Sequence, residues 1–311
     1  MQTGEPTAEP YPILLIEPEW IQAAEQMGSK AKGWVSAPWD TERWLFKFAR
    51  VNEGVPTGEH WAEKIAAEVA SLLDVPHARV ELAELDGRPG SLSRRFPELA
   101  EPGTELIHGN DLLAGLVVGY ERGKRFRQSD HTLENIFTAV STMIPDDPDQ
   151  TTALQQLAGY LVLDALVLNT DRHHENWALL RATHLDGRTT HRVAPTFDHA
   201  SSLGRNEPEE RLRLWETQPD RVEWYARRAH GAVYVGSGDS RGENPLRLVE
   251  IAAQRWPMYF SPVLSRVQAL NPARLEAVVE RVPAQTMGPA TRTFAKALMR
   301  YTREQLAGVT S

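Results

Sequence analysis

The sequence contains no cysteine among its 311 residues. This absence excludes disulfide bonds, thiolate metal sites and cysteine nucleophiles. Because disulfides are typical of oxidising compartments, a chain without cysteine is most easily accommodated in a reducing one. We therefore expect a cytoplasmic protein.

Long apolar runs and an excess of positive charge are missing as well. The longest nearly apolar run, residues 157–168, is interrupted by Asp164 and is too short to cross a bilayer. The first twelve residues carry acids and prolines in place of the basic and apolar segments of a secretion signal. The formal net charge of −8 opposes charge-driven binding to nucleic acid or anionic membranes. We expect neither a membrane partner nor direct nucleic-acid binding.

The composition, with 41% hydrophobic and 24% charged residues, is that of a globular protein. The first part of the chain alternates short strand-like runs with loops, which predicts a small sheet. Between the runs that end at Phe48 and begin at Val80, apolar residues recur every three or four positions over residues 59–73. This spacing predicts one amphipathic helix packed on the sheet, ended by Pro76.

After about Pro102 helical patterns dominate, and the clearest apolar stripe lies over residues 151–168. Residues 206–244 are rich in Arg, Glu, Gly and Asp, which is typical of a long surface excursion. The sequence predicts a two-lobed α+β fold. A small β-rich lobe is expected over residues 1–100 and a larger helical lobe over residues 101–311.

The segment LNTDRHHENWALL, residues 168–180, directly follows the predicted core helix and places Asp171 five positions before Asn176. Phosphoryl transfer needs a carboxylate to orient the incoming hydroxyl and a neutral oxygen ligand for the metal on the phosphates. A D-x-x-x-x-N loop supplies both groups. The alternative is that both residues only form the turn after the helix.

A second acid follows closely, in VAPTFDHASSLG. Asp198 comes after a predicted strand, where its carboxylate can share a divalent ion with Asn176. The other interpretation is that Asp198 begins a turn or caps a helix.

Lys47 lies within the strand-like run WLFKF. A buried ammonium group needs a counter-charge, and Glu63 on the predicted helix would give the lysine–glutamate pair that kinases use at the α- and β-phosphates. Glu68 is a competing partner, and a solvent-facing lysine on an edge strand is the alternative to both.

The string MGSKAKGWV, residues 27–35, forms a basic turn bounded by glycines. Backbone amides near Gly28 and Ser29, together with Lys30, can cover a triphosphate, although the pattern G-x-x-x-x-G-K-[ST] is absent. A hairpin with solvated lysines explains the same string.

Taken in this order, these motifs resemble the HipA-like kinases. Those proteins contain D-R-H-x-x-N followed by a strand that ends in an aspartate, here Asp171 to Asn176 and Asp198. LSRRF, residues 92–96, resembles the hinge strand of the family. The resemblance implies a protein-kinase-like fold that uses ATP and Mg²⁺.

The resemblance also implies a role for each matching residue. Asp171 would be the hydroxyl-orienting base, and Asn176 and Asp198 the magnesium ligands. The nucleotide would be bound by Lys47, Glu63, Gly28, Ser29, Lys30 and the hinge residues Arg94 and Phe96. Two departures stand out: Ser29 is no secure match for the serine that some members autophosphorylate, and Pro97 replaces the acid after the hinge aromatic. Full-length toxins of the family have an additional N-terminal domain that docks a DNA-binding antitoxin. Because this chain begins almost at the kinase lobe, no antitoxin-type partner is expected.

The motif D-R-H-x-x-N is also similar to that of phosphoinositide kinases, in which the histidine acts at the reacting phosphate, so His173 is a further candidate catalytic residue. A metal site built from His173, His174, His191 and His199 is a less favoured alternative, because adjacent histidines rarely bind one ion. The expected activity is transfer of the γ-phosphoryl group of ATP to a Ser or Thr of a protein substrate. A lipid or small-molecule kinase and a nucleotide-binding regulator without turnover are the alternatives.

Overall fold

The computed structural model describes residues 9–27, 30–52, 54–218 and 220–309. The first part of the chain forms a six-stranded sheet in the order β1-β7-β8-β4-β3-β2 and a small two-stranded sheet, β5-β6. The strands are β1 (Ile13–Leu15), β2 (Ile21–Met27), β3 (Lys30–Val35), β4 (Trp44–Phe48), β5 (Val51–Asn52), β6 (Val55–Pro56), β7 (Val80–Leu85) and β8 (Arg88–Arg94).

Strand β4 shows how the sequence places a lysine at the site. Side chains alternate between the two faces of a strand. Trp44 and Phe46 are therefore on one face, where both are fully buried in an apolar cluster. Lys47 is on the opposite face, opposite Ser91 of β8 in the strand register.

The first helix, α1 (Glu59–Leu72), confirms the amphipathic helix predicted from residues 59–73. It packs on β7 and β8 on one side and on helices from the second half of the chain on the other. This double packing explains why even polar residues of α1, among them Glu59 and Glu63, are buried. The helix ends before Asp74, whose φ of +52° turns the chain away.

The second part contains a three-stranded antiparallel sheet and nine further helices among the described residues. The strands are β9 (Thr104–His108), β10 (Ala178–Thr183) and β11 (Thr189–Val193). The helices are α2 (Gly109–Leu116), α3 (Leu133–Met143), α4 (Asp147–Val167), α5 (Glu209–Trp215), α6 (Arg221–Arg228), α7 (Pro245–Arg255), α8 (Pro257–Ala269), α9 (Pro272–Glu280) and α10 (Pro289–Ala307).

Helix α4 is the centre of this part and confirms the core helix predicted over residues 151–168. It contacts α1, α3, α7, α8 and α10. Helices α7 to α10 each begin with a proline. Proline is favoured at the first helical position, because its missing N–H would have no partner there. Within the described ranges, no helix combines the length and apolar character of a membrane span.

Most described residues of the segment 206–244 are exposed or half-buried, which agrees with the predicted surface excursion, but the segment also contains regular structure. The segment forms α5 and α6, which pack on α10 and bury Leu212 and Ala226 against Phe294 and Leu298. The apolar residues of these short helices are separated by many charged ones, which weakens the periodic signal.

The division into lobes over residues 1–100 and 101–311 stays a prediction. One continuous apolar core includes Ile65 and Val69 of α1 together with Leu157 and Leu161 of α4. Tyr11 reaches the same core, and its backbone N–H donates to the carbonyl of Arg281 over 2.7 Å. The sheet and the helices therefore share a core on the α1 side.

Candidate active site

The loop that carries Asp171 begins at a buried acid in α4. Leu168 ends the helix in the left-handed conformation, with φ of +52°. The next residue, Asn169, donates from Nδ2 to Oδ1 of Asp164 over 2.8 Å. The side-chain oxygen of Asn169 accepts a bond from the N–H of Asp171 over 3.2 Å. Asp164 thus fixes the start of the loop.

Arg172 connects three segments of the site. Its buried guanidinium forms a two-point ion pair with Asp164, with distances of 2.7 Å from Nε and 2.8 Å from Nη2. Its Nη1 donates to the carbonyls of Asn176 and, over 3.3 Å, Phe197. One side chain therefore holds α4, the Asp171 loop and the residue before Asp198 in a fixed arrangement.

Asp171 and Asn176 are held together by the loop itself. Nδ2 of Asn176 donates to the carbonyl of Asp171 over 2.7 Å. The N–H of His173 donates to the same carbonyl over 2.8 Å. Asn176 is buried, whereas Asp171 is half-buried and lines a cavity of about 350 Å³. Asp171 thus lies at the edge of an open cavity, next to the buried Asn176.

Asp198 forms an ion pair with Lys47 of strand β4. Its Oδ2 is 3.1 Å from Nζ of Lys47, and about one fifth of each side chain is exposed (23% and 19%). Asp198 has φ of +59°, a backbone conformation that is uncommon outside glycine. Burial acts to lower the pKa of Lys47, but the carboxylates of Asp198 and Glu63 outweigh it and raise the pKa above its usual value. Lys47 is therefore a cation at neutral pH.

The expected ion pair between Lys47 and Glu63 is not formed, and this prediction is wrong. Glu63 is buried near Lys47, but its ion-pair contact is with Nδ1 of His199, at 3.5 Å from Oε1. The competing candidate, Glu68, binds Nζ of Lys64 over 2.7 Å. Asp198 takes the place of both as the partner of Lys47.

The hinge residues differ in their surroundings. Phe96 packs among Ala78, Ala178 and Leu180, and its ring centroid is 6.1 Å from that of Phe197. The side chain of Arg94 is bound to Asp40 at two points, over 2.7 and 2.9 Å.

The N–H of Arg94 donates to the carbonyl of Arg79 over 2.9 Å. Phe96 is therefore next to the residue that precedes Asp198, whereas Nε, Nη2 and the backbone N–H of Arg94 already have acceptors within the protein.

The predicted phosphate-covering turn cannot be placed. Gly28 and Ser29 lie outside the described residues. Lys30 is the first residue of β3 and pairs with Met27 of β2. The assignment of this turn to the phosphates stays a prediction.

His173 and His174 form a wall of the Asp171 cavity. Nε of Arg125 is 2.9 Å from Nε2 of His173. Burial, followed by the charge of Arg125, lowers the pKa of His173 to about 3, so its ring is neutral at physiological pH. Nδ1 of His174 is hydrogen-bonded to the hydroxyl of Tyr120 over 2.7 Å.

Sequence reasoning missed Asp164, Arg125 and His131 as parts of this site. The sequence does indicate a role for Asp164, because a lone acid inside an apolar helix needs a buried partner. Arg125 and His131 line the cavity with Asp171 although they come from a segment about 40 residues earlier, and no local motif marks them.

The donor set suits a hard divalent cation. Asp198 offers a carboxylate and Asn176 an amide oxygen. Nη1 of Arg172 donates to the backbone carbonyl of Asn176 and to that of Phe197, the residue before Asp198. Mg²⁺ is commonly bound by one or two carboxylates together with substrate phosphates. Asp198 and Asn176 are the residues that would hold it.

Solved structures share this fold. The crystal structure of the Helicobacter pylori proinflammatory kinase CtkA matches with a TM-score of 0.76 over 96% of both chains, at 15% sequence identity. A chain of the Shewanella oneidensis MR-1 toxin–antitoxin complex of HipA, HipB and operator DNA matches with a TM-score of 0.54 at 14% identity. That match covers 91% of this chain and 63% of the other. The mixed α/β fold with its sheet and helices is therefore kinase-like.

At the sequence level, no curated protein matches the chain significantly. A family model described as the HipA-like C-terminal domain matches residues 22–256, which is most of the chain. The chain belongs to the HipA-like C-terminal domain family.

Proposed function

We propose that this protein is a kinase that transfers the γ-phosphoryl group of ATP to the hydroxyl of a Ser or Thr in a protein substrate. The observation that carries the proposal is the 3.1 Å contact between Nζ of Lys47 and Oδ2 of Asp198. Arg172 holds this same aspartate segment against the Asp171 loop. A cation for phosphates, oxygen ligands for a metal and a carboxylate for the acceptor are the groups that phosphoryl transfer requires.

Each residue then has a distinct role. Asp171 accepts the proton of the acceptor hydroxyl, whose oxygen forms a bond to the γ-phosphorus while the bond to the β–γ bridging oxygen breaks. Lys47 binds the α- and β-phosphates with its charge. Asn176 and Asp198 would hold Mg²⁺, which when bound neutralises charge on the phosphate oxygens. His173 is neutral and positions Arg125 beside Asp171.

The remaining nucleotide contacts follow the family pattern. The adenine is proposed to lie against the backbone of Arg94 and Phe96, beside the contact between the rings of Phe96 and Phe197. Gly28, Ser29 and Lys30 are proposed to cover the phosphates, and Glu63 to act through its charge on Lys47. ATP as the nucleotide and the cytoplasm as the location belong to the same proposal.

Binding and chemistry can be tested separately with two variants. The melting temperature should rise with saturating Mg²⁺-ATP in the wild type, because a ligand that binds only the folded state stabilises it. Asp198→Asn should lose most of this shift. Asp171→Asn should keep the shift but lose about 10²-fold in turnover, the usual scale for losing a positioned base. Asp186→Asn, at an exposed acid in the turn between β10 and β11, is the control.

Phosphate transfer is measured to a protein extract and to a phosphoinositide mixture. An unchanged melting temperature of the wild type with Mg²⁺-ATP contradicts the nucleotide site. Full turnover of Asp171→Asn refutes its catalytic role. Loss of both binding and turnover in that variant places Asp171 among the metal ligands. Transfer only to lipid favours a lipid kinase, and binding without any transfer favours a non-catalytic regulator.

A further inference from the structure

Two cavities adjoin at Thr170, immediately before Asp171. The Asp171 cavity has a volume of about 350 Å³ and is lined by Thr170, Asp171 and residues 125–128, among others. The Trp224 cavity has a volume of about 320 Å³ and is lined by Thr170, Trp215 and Trp224, among others. The proposed reaction centre is therefore located where the two cavities adjoin.

The Asp171 cavity carries positive charge at its rim. Arg125 is 43% exposed, and its Nε lies 4.0 Å from Oε2 of Glu175. Arg127 also lines the cavity and is exposed. None of the ion pairs among the described residues involves Arg127. Its φ of +56° is an unfavourable conformation for arginine, and such strain concentrates at functional sites. Arg127 thus brings a positive charge to the edge of the cavity, and none of the ion pairs found in the described part of the chain occupies it.

The Trp224 cavity offers a different surface. Trp224 is 44% exposed, and its ring centroid is 6.2 Å from that of Trp215. The guanidinium of Arg228 is placed over the Trp224 ring at 4.9 Å. Exposed aromatic rings of this kind are typical of surfaces that bind polypeptides.

The pair of cavities favours an extended ligand over a compact one. A phosphoinositide headgroup is compact and would fill the Asp171 cavity alone. An extended polypeptide repeats its side chains about every 3.3 Å and can place neighbouring ones on both sides of Thr170. The charge of Arg125 and Arg127 complements an acidic side chain.

We propose that the acceptor of this kinase is an extended polypeptide segment with an acidic residue beside the acceptor Ser or Thr. The acidic side chain binds Arg125 and Arg127 in the Asp171 cavity, and the chain continues past Thr170 into the Trp224 cavity. This inference rests on the proposed kinase activity.

The test compares serine peptides that are identical except for the residues beside the serine, which are acidic, neutral or basic. The acidic peptide should have a kcat/KM at least about fivefold higher than the basic one, the scale of a partly exposed ion pair. Arg127→Glu should reverse this preference. Arg274→Glu, at an exposed arginine of α9 that does not line either cavity, should leave it unchanged. Retention of the Mg²⁺-ATP melting shift in Arg127→Glu shows that the variant is folded.

The outcomes separate this inference from the activity on which it rests. Equal kcat/KM for acidic and basic peptides, or a preference that Arg127→Glu does not alter, overturns the acidic acceptor while the kinase stands. Transfer to phosphoinositide vesicles but to none of the peptides overturns it in favour of a lipid acceptor. No transfer to any acceptor by protein that binds Mg²⁺-ATP overturns both proposals.

Discussion

Lys47 is the residue on which the phosphate-binding role can be tested most directly. Replacing it by alanine removes the charge assigned to the α- and β-phosphates, so kcat/KM should fall by about 10²-fold or more. The lost contact with Asp198 is partly exposed, and its removal should lower the free energy of unfolding by only about 1–3 kcal/mol. Urea denaturation and phosphate-transfer assays measure the two effects.

The matched control is Lys296→Ala, which breaks another partly exposed ion pair, that with Glu280 in α9. This variant should lose stability without losing turnover. Wild-type turnover in Lys47→Ala would identify Lys47 as a structural strand residue only.

The sequence identified Lys47 but named the wrong partner. A lysine among apolar strand residues predicts a counter-charge, and Asp198 provides one, although both side chains are partly exposed. Which acid provides the charge depends on how the segment after β11 approaches β4. That approach is determined by tertiary packing. The distance between two residues along the sequence does not reveal it. Glu63 and Glu68 are acids of the helix that follows this part of the sheet, and a lysine–glutamate pair of this kind is what kinases use at the phosphates.

At the scale of elements, the buried pair of Asp164 and Arg172 connects helix α4 to the proposed reaction centre. Only 5% of each side chain is exposed. Removing one partner leaves an uncompensated buried charge, so Asp164→Leu should lower the free energy of unfolding by about 3–5 kcal/mol. Asp164→Leu combined with Arg172→Met removes both charges and should be more stable than Asp164→Leu alone. Urea denaturation gives these values.

Turnover distinguishes the positioning role of Arg172 from its contribution to stability. In the double variant, the carbonyls of Asn176 and Phe197 lose their common donor, so turnover should stay low even where stability is recovered. Full turnover in a stable double variant would show that Arg172 does not position the reaction centre.

Elements were predictable where their periodicity was strong. The stripes of α1 and α4 contain regularly spaced apolar residues, and both helices are confirmed. Helices α5 and α6 are only 7 and 8 residues long. Their apolar contacts are made with α10, far along the chain, so the local sequence gives little sign of burial.

At the scale of the whole molecule, the site depends on contacts between distant segments. Glu59, at the start of α1, forms an ion pair with Arg205, in the segment that follows Asp198. The Asp171 cavity combines residues 125–128, His131, residues 170, 171, 173 and 174, and residues 231, 232 and 234. One sequence can identify the motif with Asp171, but not which distant segments surround it.

Buried histidines make the stability of the whole protein depend on pH. Burial lowers the pKa of His131 to about 3, with smaller effects of His174 and Arg172. Its Nδ1 bonds the carbonyl of Ala232 over 2.8 Å, and its Nε2 accepts from Trp177 over 3.0 Å. The neutral ring thus satisfies both partners, and a second proton on Nε2 would break the bond from Trp177.

The direction of the effect follows from the lowered pKa in the folded state. Below about pH 6.5 the unfolded chain binds a proton that folded His131 does not, so stability falls as the pH decreases. Between pH 6.5 and 5, this histidine should lower the free energy of unfolding by about 1.6 kcal/mol. His131→Gln keeps a donor and an acceptor but cannot titrate. Its free energy of unfolding should therefore fall less than that of the wild type as the pH decreases over this interval. His184→Gln, at an exposed position, should follow the wild type. Urea denaturation at each pH measures the difference, and identical slopes for wild type and His131→Gln would show that His131 is not the group that titrates.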